Sequence, residues 1–120
     1  MKALILIDHG SKVKEANKLL KDITTLLKEK ENTGFDFITY CHMELAEPTI
    51  SQAFELAVRK GASEIVVHPY FLAPGRHSKI DIPNMVKDTA SEYTDIRYKV
   101  TEPLGIHDKI LDVVLERANK

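Results

Sequence analysis

Two histidines stand just behind runs of apolar residues, and each is flanked by a glycine and by cations. Asp8-His9-Gly10-Ser11 follows the run Ala3–Ile7, and Leu72-Ala73-Pro74-Gly75-Arg76-His77-Ser78 follows Ile65–Phe71. A third such position carries carboxylates, in His42-Met43-Glu44 and on to Glu47-Pro48. Neutral imidazole ligates iron, cobalt, nickel, copper or zinc, and a nearby carboxylate can complete the ligand set or take up a proton. An unperturbed imidazole, with a pKa of about 6.5, can also accept a leaving proton near neutral pH. Gly10 and Gly75 permit tight turns and close approach of a ligand to the backbone. Lys12 and Lys14 near His9, and Arg76 and Lys79 near His77, favour an anionic ligand.

The remaining candidates read as structural. His68 lies inside an apolar run and precedes Pro69, so a core or rim position is expected for it. His42 ends the second apolar run and fits a supporting layer behind the metal. His107 opens the last helical segment and belongs on the surface. Cys41 reads as a small buried hydrophobe rather than a thiolate ligand. Glu47, before Pro48, suits the entry to a helix, whereas Glu44 lies nearer the strand end; either carboxylate remains open at this point. The lysine-rich face of the first helix reads as solvated.

Four short runs of strand length, Ala3–Ile7, Phe35–Cys41, Ile65–Phe71 and Ile96–Val100, must position these groups. Between and after them come segments with helical spacing of apolar residues. The first gathers Ala16, Leu19, Leu20, Ile23, Leu26 and Leu27; the second Ile50, Ala53, Phe54, Ala57 and Val58, stopping at Gly61. The third gathers Ile82, Met85, Val86 and Ala90, and the fourth Ile106, Ile110, Val113 and Val114. Thr49 and Gln52 have capping-box spacing, and Pro83 falls where a first helical turn tolerates proline. Strict alternation of strand and helix predicts an α/β fold: one small domain over residues 1–120, with a four-stranded parallel sheet in the order 2-1-3-4 and helices on both faces. In such a sheet ligands bind beyond the carboxyl ends of the strands, where the strand order reverses. The loops after strands one and three flank that point, and they carry His9 and His77.

Length and composition agree. The chain has 120 residues, 43% hydrophobic and 29% charged, so it suits one globular domain with a real core rather than disorder. Seventeen Lys+Arg against eighteen Asp+Glu leave a formal charge of −1, which gives nucleic acid no electrostatic footprint. A lone cysteine forms no intrachain disulfide and fits a reducing, cytoplasmic setting. The apolar start is too short for a signal sequence, and no stretch approaches a membrane span of about 18 apolar residues.

The opening strand ending in DHGS, the segment MELAEPTI, the stretch VHPYFLAPGRHSKIDIP and the turn TEPLGIH together resemble the sirohydrochlorin chelatases. These are small class II enzymes that insert cobalt, iron or nickel into sirohydrochlorin. The resemblance covers nearly the whole chain in order and implies a parallel α/β domain, paired as a homodimer at this length. It places the family's histidines on His9 and His77, as metal ligands and catalytic residues, and its acidic residue best on Glu44, with Glu47 second. It further implies that Gly10, Ser11, Leu72, Gly75, Arg76 and Lys79 line the substrate, with Lys12 as a further partner for its carboxylates. Phe71, Leu72 and Leu104 would lie against the macrocycle's apolar face. The divalent metal enters as substrate, with no ATP and no organic cofactor. Two departures stand out: Asp8 where GHGS is the usual form, and His68 where an apolar residue is common. There is no histidine-rich tail.

Two other readings compete. Histidine phosphatases open with a strand and R-H-G, but here Asp8 takes the arginine's place and would repel phosphate. A non-catalytic tetrapyrrole or metal carrier on the same scaffold would bind without accelerating insertion.

Overall fold

A computed structural model describes residues 1–120. The elements run β1 (Lys2–Asp8), α1 (Lys14–Lys28), β2 (Phe37–His42), α2 (Ile50–Arg59), β3 (Glu64–Pro69), α3 (Ile82–Ala90), β4 (Arg97–Val100) and α4 (Asp108–Ala118), with a π-helical turn, His77–Asp81, leading directly into α3. The sheet is parallel throughout in the order β2-β1-β3-β4, as the alternation predicts.

Burial explains the pattern. β1 has a neighbour on each side and helices over both faces, so its successive side chains are nearly all apolar. Ala3, Ile5, Ile7, Cys41, Ile65 and Val67 form the main core with Phe54 and Ala57 of α2 and Ile82 and Val86 of α3. Leu6 and Ile38, on the opposite face, pack with Leu20 of α1. Burial of each Leu, Ile, Val or Phe side chain among these contributes about 1.5–3 kcal/mol. The capping box of α2 is formed: the Thr49 hydroxyl accepts from the Gln52 amide, and the Gln52 side chain accepts from Thr49 N–H.

Two elements differ from the sequence expectation. Helical structure after β3 begins at His77 rather than at Ile82, because the π-helical turn continues α3 backwards. α4 forms, but none of its residues is buried. Ile106, Leu111, Val113, Val114 and Leu115 remain largely exposed, and so do Leu19 and Leu26 on α1. The layers are therefore α1 on one face and α2 with α3 on the other, while α4 stands clear of the sheet. No helix is long and apolar enough to cross a membrane.

Candidate functional site

The loops after β1, β2 and β3 meet at the carboxyl edge of the sheet. Met43 N–H donates to the Asp8 carbonyl and Glu44 N–H to the His9 carbonyl, extending the β1–β2 ladder past its last strand residue. Gly10, at φ +92°, sits so close to this extension that an added Cβ would lie 2.0 Å from the Glu44 carbonyl oxygen. Its conformational freedom thus serves the packing of one loop on another. Gly75 faces open space and has no such demand. Asn17 of α1 clamps the first loop, accepting from Ser11 N–H at 2.9 Å and donating to the Ser11 carbonyl at 2.7 Å.

Within this frame the His9 and His77 rings lie with centroids 4.9 Å apart, tilted by 59°. Glu44 Oε1 is 2.8 Å from His9 Nε2. His9 Nδ1 is 3.1 Å from the Gly10 carbonyl, which can only accept, so that nitrogen carries a proton. His77 Nδ1 is 3.0 Å from Asp81 Oδ2, one helical turn further on. Both rings are thus held through Nδ1 by an acceptor, the arrangement that orients metal-ligating histidines and directs Nε2 outward. Phe71 lies nearly parallel to the His77 ring at 6.5 Å and props it from behind. The His9 and His77 side chains are 38% and 50% exposed, so an incoming ion can reach them.

Behind this pair, Asp8 Oδ1 and His42 Nδ1 are 2.5 Å apart, with the His42 side chain only 1% exposed. The extra carboxylate of the first motif is therefore already engaged, by the buried His42 at the end of β2. His68 Nδ1 donates to Thr101 Oγ1 at 2.9 Å, and that hydroxyl donates onward to the Glu102 carbonyl. Burial holds the His68 pKa below the ordinary value, so this ring is a neutral rim residue. Burial, with the Asp8 charge adding to it, pushes the Cys41 thiol up and leaves it inert. His107 caps α4, its Nδ1 accepting from Lys109 N–H. Glu47 accepts from Gln52 Nε2 at 2.9 Å and serves the entry to α2; Glu44 is the carboxylate that reaches His9.

Two residues were missed from sequence, Asp81 as the partner of His77 and Asp8 as that of His42. The i,i+4 spacing of His77 and Asp81 carries the first signal, but only once a helix is allowed to start at His77. Arg76 is 82% exposed and 3.9 Å from Asp81. Leu72 is 70% exposed at the same rim, and its carbonyl accepts from Gly105 N–H as that of Phe71 does from Leu104 N–H, tying the last two loops together. Lys79 instead opens onto a cleft shared with Pro83, Val100 and Pro103.

The site is an open edge rather than a closed cage. No three His, Cys, Asp or Glu side chains converge as a complete metal-binding set. The largest concavity lies at the other end of the sheet, between Lys28 and Ile38, and contains no histidine. Two imidazoles and one proton-accepting carboxylate on an open rim suit transient handling of a metal better than permanent storage.

Comparison with known proteins shows the family to which the chain belongs. The CbiX family model matches residues 3–120. A chloroplastic sirohydrochlorin ferrochelatase of Arabidopsis thaliana is 47% identical over 114 residues, covering 95% of this chain and 50% of that protein. A sirohydrochlorin cobaltochelatase of Sulfolobus acidocaldarius is 37% identical over 120 residues, covering all of this chain and 92% of the relative. Among solved structures, the sirohydrochlorin chelatase SirB of Bacillus subtilis subspecies spizizenii in complex with cobalt superposes with a TM-score of 0.90 at 32% identity, covering 98% of this chain and 50% of that one. The chain thus spans about half the length of several relatives and nearly all of another.

Proposed function

The chain belongs to the CbiX family, and we propose that it is a chelatase that inserts a divalent metal into sirohydrochlorin without ATP. The observation that carries this reading is the pair of imidazoles 4.9 Å apart, each fixed through Nδ1, with Glu44 against one of them. Cobalt and iron are the metals that the relatives' names support, and nickel shares the same ligand chemistry.

Proton accounting follows from the geometry. His9 donates through Nδ1 to a carbonyl, and one further proton bridges His9 Nε2 and Glu44 Oε1. Binding of the metal at His9 Nε2 displaces that proton, which leaves by way of Glu44 to solvent. Two pyrrole N–H protons must depart as the metal enters the macrocycle, and the freed carboxylate beside the metal accepts them in turn. His77, braced by Asp81, supplies the second nitrogen and releases the ion as the ring nitrogens take over. Ser11, Leu72, Gly75 and Arg76 lie in the rim loops that would meet the substrate, with Gly10 acting through loop packing.

A homodimer completes this reading. The edge is open in a single copy, and α4 and α1 expose apolar stripes that a soluble monomer seldom leaves bare. A second copy would cover those stripes and wall the cleft. The setting is cytoplasmic, in keeping with a reduced, buried Cys41.

The test is anaerobic mixing of the protein with sirohydrochlorin and Co²⁺, Fe²⁺ or Ni²⁺, followed by visible absorption against a protein-free control. Catalytic turnover is expected with at least cobalt or iron. Stoichiometric binding without acceleration for any metal would replace the enzyme with a carrier.

A further inference from the structure

Next to the histidine pair, on the α1 side of the sheet, a groove runs between α1 and the carboxyl end of β2. Lys14, Lys18 and Lys21 form one wall, Tyr40 and His42 the floor, and Glu47 part of the rim. The three lysines fall at i, i+4 and i+7, which places them on one face of α1. Lys18 is paired with Asp22 at 2.7 Å, but neither Lys14 nor Lys21 has a carboxylate within ion-pair distance. Of the acids near the floor, Asp8 is paired with His42, while Glu47 accepts from the neutral Gln52 amide and keeps its charge. Three lysines face the single lining carboxylate of Glu47, and only Lys18 has an ion-pair partner, so the groove is cationic on balance.

We propose that this groove takes carboxylate arms of the macrocycle and so fixes how the ring is turned over the metal, an inference that rests on the chelatase reading above. Asp8 and His42 are register partners on neighbouring strands, and His9 follows Asp8. The groove floor thus begins roughly 10 Å or less from His9, about two strand spacings. Sirohydrochlorin carries its acetate and propionate groups around the rim, so a ring centred over His9 extends those groups across the groove. Lys14 and Lys21 supply the charge, and the Tyr40 phenol adds an O–H donor; charge-assisted contacts of this kind are the stronger hydrogen bonds. This surface would read from sequence alone as a solvated lysine face. Next to His77, Arg76 is 82% exposed and meets the substrate from the rim loop, whereas Lys79 opens onto a cleft with Pro83, Val100 and Pro103.

The experiment measures the Kd of metal-free sirohydrochlorin, by its own fluorescence, for the wild type and for the Lys14→Gln/Lys21→Gln double variant at low and high salt. Expected is a rise in Kd of about tenfold at low salt, with a flatter salt dependence, because two screened attractions are lost. A Lys28→Gln/Lys30→Gln control, at the opposite end of the sheet, keeps the wild-type Kd. Circular dichroism confirms that both variants are folded, as expected for exposed helix and loop positions. A double variant that binds within twofold of the wild type, with the same salt dependence, overturns the groove. A wild-type protein that binds sirohydrochlorin without turning it over removes the chelatase reading but still lets the two Kd values decide the groove. A wild type that does not bind sirohydrochlorin overturns both.

Discussion

His9 Nε2 and Glu44 Oε1 lie 2.8 Å apart although 35 positions separate the two residues in the chain. The contact exists because the β1–β2 ladder continues for two more hydrogen bonds beyond β2, carrying Glu44 alongside His9. In the proposed reaction it would join a metal-binding nitrogen to a proton acceptor, and metal insertion needs both at one place.

The brace behind the second histidine makes a separate prediction. Asp81 orients His77 through Nδ1, and loss of such an outer partner typically lowers metal affinity about 10–100-fold. Asp81→Ala should therefore weaken Co²⁺ binding by that range in a visible-absorption titration, with the fold retained. Affinity equal to the wild type would show that His77 needs no brace.

Gly10 is the most constrained position of the site. At φ +92°, with the Glu44 carbonyl 2.0 Å from where a Cβ would stand, Gly10→Ala combines left-handed strain with a backbone clash. A destabilisation of about 2–5 kcal/mol is expected in urea unfolding. A loss below about 0.5 kcal/mol would mean that the two loops separate freely.

Much of this arrangement is legible in the sequence. The strand order, the capping box at Thr49 and the meeting of His9 with His77 follow from alternation, spacing and the switch-point rule, because each depends on local pattern plus a strong topological constraint. Asp81 escapes because the π-helical turn shifts the start of the helix by one turn, and no residue at His77–Asp81 announces that shift. The open stance of α4 escapes as well: its apolar stripe looks the same whether it covers its own sheet or another surface. The lysines of α1 become informative only once His42 and Tyr40 are seen beneath them.

His68 makes stability depend on pH. Burial lowers its pKa in the folded protein, whereas the unfolded chain regains the ordinary value of about 6.5. Below that value the unfolded state binds more protons, so stability is full above about pH 6.5 and is lost as pH falls through the folded pKa. Urea midpoints at pH 7.5 and 5.5 should differ more in the wild type than in His68→Asn. An equal difference in both proteins would remove His68 as a contributor.

The exposed stripe of α4 bears on assembly. Leu111→Asp with Val114→Asp places charges where a second copy would pack. Sedimentation should show a wild-type dimer at micromolar concentration and a folded monomeric variant with little chelatase activity. A wild type that is monomeric and fully active would refute the dimer.

The most direct test of the central claim is the initial rate of Co²⁺ insertion into sirohydrochlorin by the wild type, His9→Ala, His77→Ala and Glu44→Gln. Each histidine variant should lose about 10²-fold or more of kcat/KM. Glu44→Gln, which keeps a hydrogen-bonding amide but cannot take up a proton, should lose a similar factor in kcat while binding Co²⁺ within a few-fold of the wild type. Insertion at the wild-type rate in either histidine variant would contradict the account.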